Sequence, residues 1–551
     1  MNIHSHRAGI LILSCLLAAC SGEAPPAPRD DRPAPEQLGR VHFETSCRPE
    51  AGADFDRAVA LLHSFSFAAA NRAFQDVLAQ DPDCAMAYWG QALTRWGNPF
   101  AGLKPQASIV EGRAAIERGL ATGMPTERER AYLDAAAELF RDAETTDQRT
   151  RMLAYERAME GLHAQYPDDR EAAMFYALAI NQTALPTDKT YAQQIKAAGI
   201  LEPLFAEQPE HPGLAHYIIH AYDHPPLAPR ALNAARRYAS IAPSAPHALH
   251  MPSHTFTRVG SWQESVDTNI ASAEAALRDG SPAEALHAMD YQVYAYLQMG
   301  HDQDARGVMD LAPGVLATID SAALGGAAPP PAGTYAAAAI PARYAMERGA
   351  WDEAAALEAR PSPTPYADAV THFARALGAA RSGRPDAARA DMAQLVALHS
   401  KLTGMNDAYW AEQVDIQRQV SAAWLTFAEG RQAEALSALR KAADAEDATD
   451  KSAISPGPLA PARELLGEML LAMDRPADAL GELEAVMQKE PNRFRATVHA
   501  ARAASRAGDD AKARTYYAAL VEIGETGDTP GRPELEEARA FMTAGAPQAD
   551  R

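Results

Sequence analysis

Small apolar residues recur at helical spacing along most of this chain. In FDRAVALLHSFSFAAANRAFQDVLAQDP, residues 55 to 82, Ala70, Phe74 and Pro82 stand at intervals of four and eight. Ala479, Leu483 and Pro491 repeat those intervals, preceded by the pair Leu466 and Gly467. Gly508, Ala513 and Tyr517 follow a helix that starts near Phe494, and Gly430, Ala435 and Leu439 mark another unit. Pro209 and Pro243 lie 34 residues apart. Each unit therefore reads as two amphipathic helices, with small residues where they cross and a proline that ends the second. The stretch 126–165 is longer and less regular.

A helical pair repeated every 34 residues is the pattern of the tetratricopeptide repeat, TPR. The expected fold is all-α, a TPR-like solenoid of helical hairpins in two halves, 41–320 and 336–545. Between them SAALGGAAPPPAGTY, 321–335, reads as a Pro/Gly-rich loop. A second proline cluster, ARPSPTP at 359–365, reads as a shorter connection.

The N-terminus is a targeting segment rather than part of the fold. Residues 1–19 carry a short apolar stretch ending in LAAC, and Leu17, Ala18, Ala19 and Cys20 resemble a bacterial lipobox. The resemblance implies acylation of Cys20, with more than one acyl chain giving a durable anchor. Ser21, in place of a retaining Asp, points to the outer membrane facing the periplasm. A plain secretory signal would change the anchor but not the compartment. Residues 20–40 are Pro-rich and charged, a disordered tether. Of four cysteines, Cys15 leaves with the signal and Cys20 takes lipid, which leaves Cys47 and Cys84. An oxidising compartment favours a disulfide between them, with two free thiols as the alternative. The net charge of −21 lacks the basic footprint that nucleic acid requires, so no nucleic-acid partner is expected. Past the N-terminus no apolar run is long enough to span a bilayer, so membrane contact is expected through lipid alone.

Seven of the 17 histidines fall between residues 211 and 254. With Pro209 and Pro243 ending successive repeats, His216 and His220 take the fifth and ninth places of one leading helix. His250 and His254 take the same places in the next, 34 residues on. Those places face the concave groove of a TPR array. Each pair spans one turn on one helix face, about 6 Å, and neighbouring leading helices lie roughly 8–10 Å apart. Four imidazoles are therefore expected to converge, with His247, His287 and Asp290 around them. Asp290 would serve as a ligand or as the acceptor that orients one. Neutral imidazole suits a divalent transition metal such as Zn, Cu, Ni or Fe. His63 is a remoter candidate. His211 and His224, at helix ends, are expected in solvent, and Pro252 is expected to bend His254 away from His250. Met251 offers a soft ligand beside the cluster, although its helix points it away, and Asp223, Asp290 and Tyr291 are candidate proton-handling groups. No HExxH or CxxC string is present.

The strings LLHSF, CAMAYWG, GLAHYIIHAYD, APHALHMPSH, DYQVYAYLQ, YWAEQV and PGPLAPARELLGE resemble those of a group of largely uncharacterised bacterial TPR proteins. The resemblance runs from about residue 41 to 520. It implies that His216, His220, His247, His250 and His254 belong to the group's common pattern. In DKSAISPGP, Ser452 stands where that pattern carries His before a Pro, which sets aside any role for an imidazole there. Trp89 and Trp262 read as packing residues. Two functions follow. One is an interaction scaffold that binds a protein or peptide in its groove. The alternative is a transition-metal-binding protein or metalloenzyme built from the paired histidines. Neither reading assigns a reaction.

Overall fold

The computed structural model describes residues 36–122, 126–320 and 326–544. The expected signal segment, Cys20 and residues 20–35 of the tether lie outside the described residues. Among the described residues the chain is helical throughout, and successive helices pack as neighbours in space. This is a TPR-like helical solenoid. Small residues at the crossings explain the close approach: a Cβ on Gly90 would sit 2.2 Å from the Phe74 ring, and one on Gly467 would sit 2.6 Å from Leu483. The leading helices Pro252–Val259 and Pro282–Met299 end at Gly260 and Gly300, whose φ of 71° and 75° suit glycine. Trp89 and Trp262 are buried, as packing residues should be. A disulfide joins Cys47 to Cys84, tying the non-helical N-terminal segment to the start of the Ala85–Trp96 helix.

Two features depart from the expected layout. The proline-rich segment becomes helical at Pro330, not after residue 335. Pro330 and Pro331 occupy the first turn of the Pro330–Glu347 helix, where a missing N–H costs nothing. The concave face is also not an open groove. Every residue of the Pro212–Tyr222 helix is buried, and so is nearly every residue of Pro282–Met299. A helix buried all round belongs to the middle of a fold.

What fills the groove comes from distant parts of the chain. The described residues from 37 to 544 form one compact unit. Trp262 donates to the Asn492 carbonyl at 2.8 Å, Gln298 accepts from the Phe494 amide at 3.0 Å, and Arg493 donates to the Tyr294 hydroxyl at 3.0 Å. The segment 449–460 lies over the histidine-bearing helices. Fully buried Arg343 pins it there by donating to Ser455 Oγ and to the Gly457 and Pro458 carbonyls.

Candidate metal centre

Six buried histidines form a continuous cluster from four elements: Pro212–Tyr222, Pro246–His250, Pro252–Val259 and Pro282–Met299. They do not meet as one group of four. The ligand atoms of His216, His220 and His247 lie within 4.8 Å of one another, and those of His250, His254 and His287 do the same. Pro252 breaks the helix at Met251 as expected, yet it does not carry His254 away. The break leaves His250 Nε2 and His254 Nε2 only 3.0 Å apart.

The other ring nitrogens of that pair are committed. His250 Nδ1 donates to Asn269 Oδ1 at 2.7 Å, and the Asn269 amide donates onward to the Ser265 carbonyl. His254 Nδ1 donates to Asp223 Oδ2 at 2.8 Å. Both rings are therefore fixed with the proton on Nδ1 and a lone pair on Nε2. Two lone pairs facing each other at 3.0 Å repel unless a cation lies between them. Burial lowers the pKa of both rings, the neighbouring histidines lower that of His250 further, and the Asp223 carboxylate works the other way on His254. His287, the third member, hydrogen-bonds the backbone of Ile454, and its Nδ1 has no partner among the described residues. Burial pushes His287 down to about 3, so it too is a neutral donor. The Tyr291 hydroxyl lies 3.3 Å from His254 Nε2 and donates to the Ser455 carbonyl at 3.1 Å.

The first triad has its own supports. His216 Nδ1 donates to the His63 carbonyl at 2.6 Å, and burial pushes its pKa down to about 3. Glu284 places a carboxylate oxygen 3.7 Å from His247 Nδ1. Phe65 packs its ring against His216, His220 and His247. It does so from a left-handed backbone, φ 53°, that costs a bulky residue about 1–2 kcal/mol. Phe100 stacks on His220 with ring centroids 4.3 Å apart.

Several expected members lie elsewhere. Asp290 is not with the histidines: its carboxylate takes the Arg343 Nε at 2.7 Å, and both side chains are fully buried. An unpaired buried carboxylate is costly, and the guanidinium satisfies it more fully than an imidazole would. His211 and His224 are not in solvent. His211 and His63 both donate to Glu171, through Nε2 at 3.0 and 2.8 Å, and His224 pairs with Asp450 at 3.2 Å. The Tyr217 hydroxyl donates to His63 Nδ1 at 2.9 Å, so both His63 nitrogens are occupied and this group is a hydrogen-bonded brace. Gly213 makes room for it, since a Cβ there would meet His63 Nδ1 at 2.5 Å.

Residue spacing did not point to Asn269, Glu284, Phe65 or Phe100, whose places depend on which helices cross. Asp223, flagged only as a proton-handling candidate, is the acceptor that fixes His254. Met251 does reach the cluster: with His220, His247, His254 and His287 it lines a cavity of about 10 Å³ closed by Asn98, Ala327 and Ile454. That is room for about one water. Three nitrogens about 2.1 Å from a tetrahedral ion stand about 3.4 Å apart. Either triad would need ring movements of less than about 1 Å to close on an ion.

No family model matches this sequence, and no curated protein matches it. Among solved structures, the chain is similar to one titled "Structure of Naa15/Naa10 bound to HypK-THB" at 12% identity, covering 90% of this chain and 91% of that one with a TM-score of 0.26. It is also similar to one titled "Human IFIT1 dimer with PPP-AAAA" at 11% identity, covering 80% and 90% of the two chains with a TM-score of 0.38. At these scores neither structure bears on what the site does.

Proposed function

We propose that this protein is a transition-metal-binding protein of the bacterial envelope, holding an ion between His250, His254 and His287. The observation that carries the reading is the 3.0 Å approach of two Nε2 lone pairs whose Nδ1 protons are held by Asn269 and Asp223. The donor set is neutral nitrogen, with the Met251 thioether lining the same cavity. Such a set suits Zn, Cu, Ni or Fe and not the oxygen-seeking Ca or Mg.

Outer-membrane anchoring through acylated Cys20, with the folded part facing the periplasm, is the compartment we assign. The lipobox-like LAAC and the proline-rich tether support it, and the Cys47–Cys84 disulfide suits an oxidising space. The competing function is a scaffold that binds a protein or peptide on the concave histidine face. Burial of all six imidazoles beneath 449–460 weighs against a peptide lying there. A protein partner would meet other surfaces of the solenoid.

Elemental analysis of protein purified without a histidine tag tests the reading, beside a His250→Ala/His254→Ala variant. At least one transition-metal ion per chain is expected in the wild type, with loss in the variant and helix content retained. Equal trace metal in both, with no thermal stabilisation by added Zn(II) or copper, would return the histidines to core packing.

A further inference from the structure

We propose that the protein holds two transition-metal ions, the second at His216, His220 and His247, beside the first. This rests on the metal reading above and extends it to a dinuclear centre.

The two triads are built to one plan. Each takes an i, i+4 pair from one leading stretch and a single histidine from the leading helix that follows. His216 and His220 combine with His247; His250 and His254 combine with His287. The pairs are offset by 34 residues, and the single histidines by 40. Both pairs follow the 34-residue repeat, and each is completed by the leading helix that comes next.

The second triad also shows the chemistry of a ligand set. The His63 carbonyl takes the proton on His216 Nδ1, which leaves a lone pair on Nε2. His216 Nε2, His220 Nε2 and both His247 nitrogens have no hydrogen-bond partner among the described residues. All three rings are buried. Buried polar atoms in native proteins are normally satisfied, so several unpartnered nitrogens converging within 4.8 Å point to a ligand they share. The His63, Glu171 and His211 group is the contrast: its histidines bond to one carboxylate, and only His211 Nδ1 is left without a partner.

Proximity makes the two sites one centre. Ring centroids of His247 and His250 are 5.9 Å apart, and those of His220 and His254 are 6.2 Å apart. The water-sized cavity is lined by His220 and His247 from one triad and by His254 and His287 from the other. The cavity has room for about one water, so only a ligand of one or two atoms fits between the triads.

The test is a count of ions per chain. Full-length metal-free protein is titrated with Zn(II), and separately with Cu(I) under anaerobic conditions, against a chromophoric chelator. The wild type is expected to bind two ions with at least one of these metals. His216→Gln/His247→Gln and His254→Gln/His287→Gln are each expected to bind one. One ion in the wild type with both metals overturns the second site and leaves the proposed function standing. No ion with either metal removes both. Two ions that persist in His216→Gln/His247→Gln overturn the assignment to this triad. Circular dichroism reports whether the variants keep their helices, and if they do not, the wild-type count alone decides.

Discussion

Asp223 accepts the Nδ1 proton of His254 at 2.8 Å while Arg258 and Lys451 donate to the same carboxylate at 2.9 and 3.1 Å. Lys451 comes from the segment that covers the cluster, so one carboxylate both orients His254 and fastens that segment over it. Burial would raise the Asp223 pKa, but the two cations and His254 bring it well below the usual carboxylate range. Asp223→Asn should lower metal affinity roughly 10–100-fold, as loss of a ligand-orienting partner does. Competition titration with Zn(II) measures this. An unchanged affinity in a folded variant would mean that His254 is not a ligand.

Asp290 and Arg343 make the opposite prediction. Arg343→Met leaves a buried carboxylate without its partner and should cost about 3–5 kcal/mol. Pairing it with Asp290→Leu should recover most of that loss, because an apolar pair removes the unmatched charge. Denaturant unfolding of the two variants checks the order. If the double variant keeps the wild-type metal count, Asp290 is structural and not a ligand.

The brace behind His216 sets a pH dependence. Burial raises the Glu171 pKa, but the charges and hydrogen bonds of His63 and His211 outweigh it and bring the carboxyl from 4.5 down to about 2. A lowered carboxyl pKa adds stability above the unfolded value, and that stability is lost as pH falls from about 4.5 to about 2. The shift corresponds to about 3 kcal/mol. Glu171→Gln should therefore be less stable than wild type by that order at neutral pH, with the gap closing as the pH drops through this window. A gap constant from pH 7 to pH 3 would exclude an ionised Glu171.

The disulfide should matter through the unfolded chain. Closing a loop of sequence separation 37 is worth about 4 kcal/mol by loop entropy. Cys47→Ser/Cys84→Ser should lower stability by that order and leave the histidine cluster able to bind metal. Alkylation of freshly isolated wild-type protein should find no free thiol at either position.

The repeat was plain in the sequence because small residues, glycines and prolines recur where helices cross and end. The 34-residue register placed His216, His220, His250 and His254 near one another, with His247 and His287 around them. It did not reveal which imidazoles meet. His216 and His220 join His247 rather than His250, because grouping depends on how neighbouring helices are offset along their axes, and spacing within one helix carries no record of that. Asp290 was misplaced for a similar reason: its partner Arg343 lies 53 residues further on. The groove looked open because the register describes leading helices and says nothing of 449–460 returning to cover them. Asn269 carried no local signal at all. Its role exists only where the Trp262–Arg278 helix crosses His250.

The most direct test is an anomalous difference map from crystals grown with the metal found by elemental analysis, recorded at that metal's absorption edge near neutral pH. A metal centre predicts a strong peak about 2.1 Å from both His250 Nε2 and His254 Nε2, with the two nitrogens opened from 3.0 Å to about 3.4 Å. A map without a peak at these atoms, with the nitrogens still 3.0 Å apart, would mean that the pair shares a proton and would contradict the metal reading.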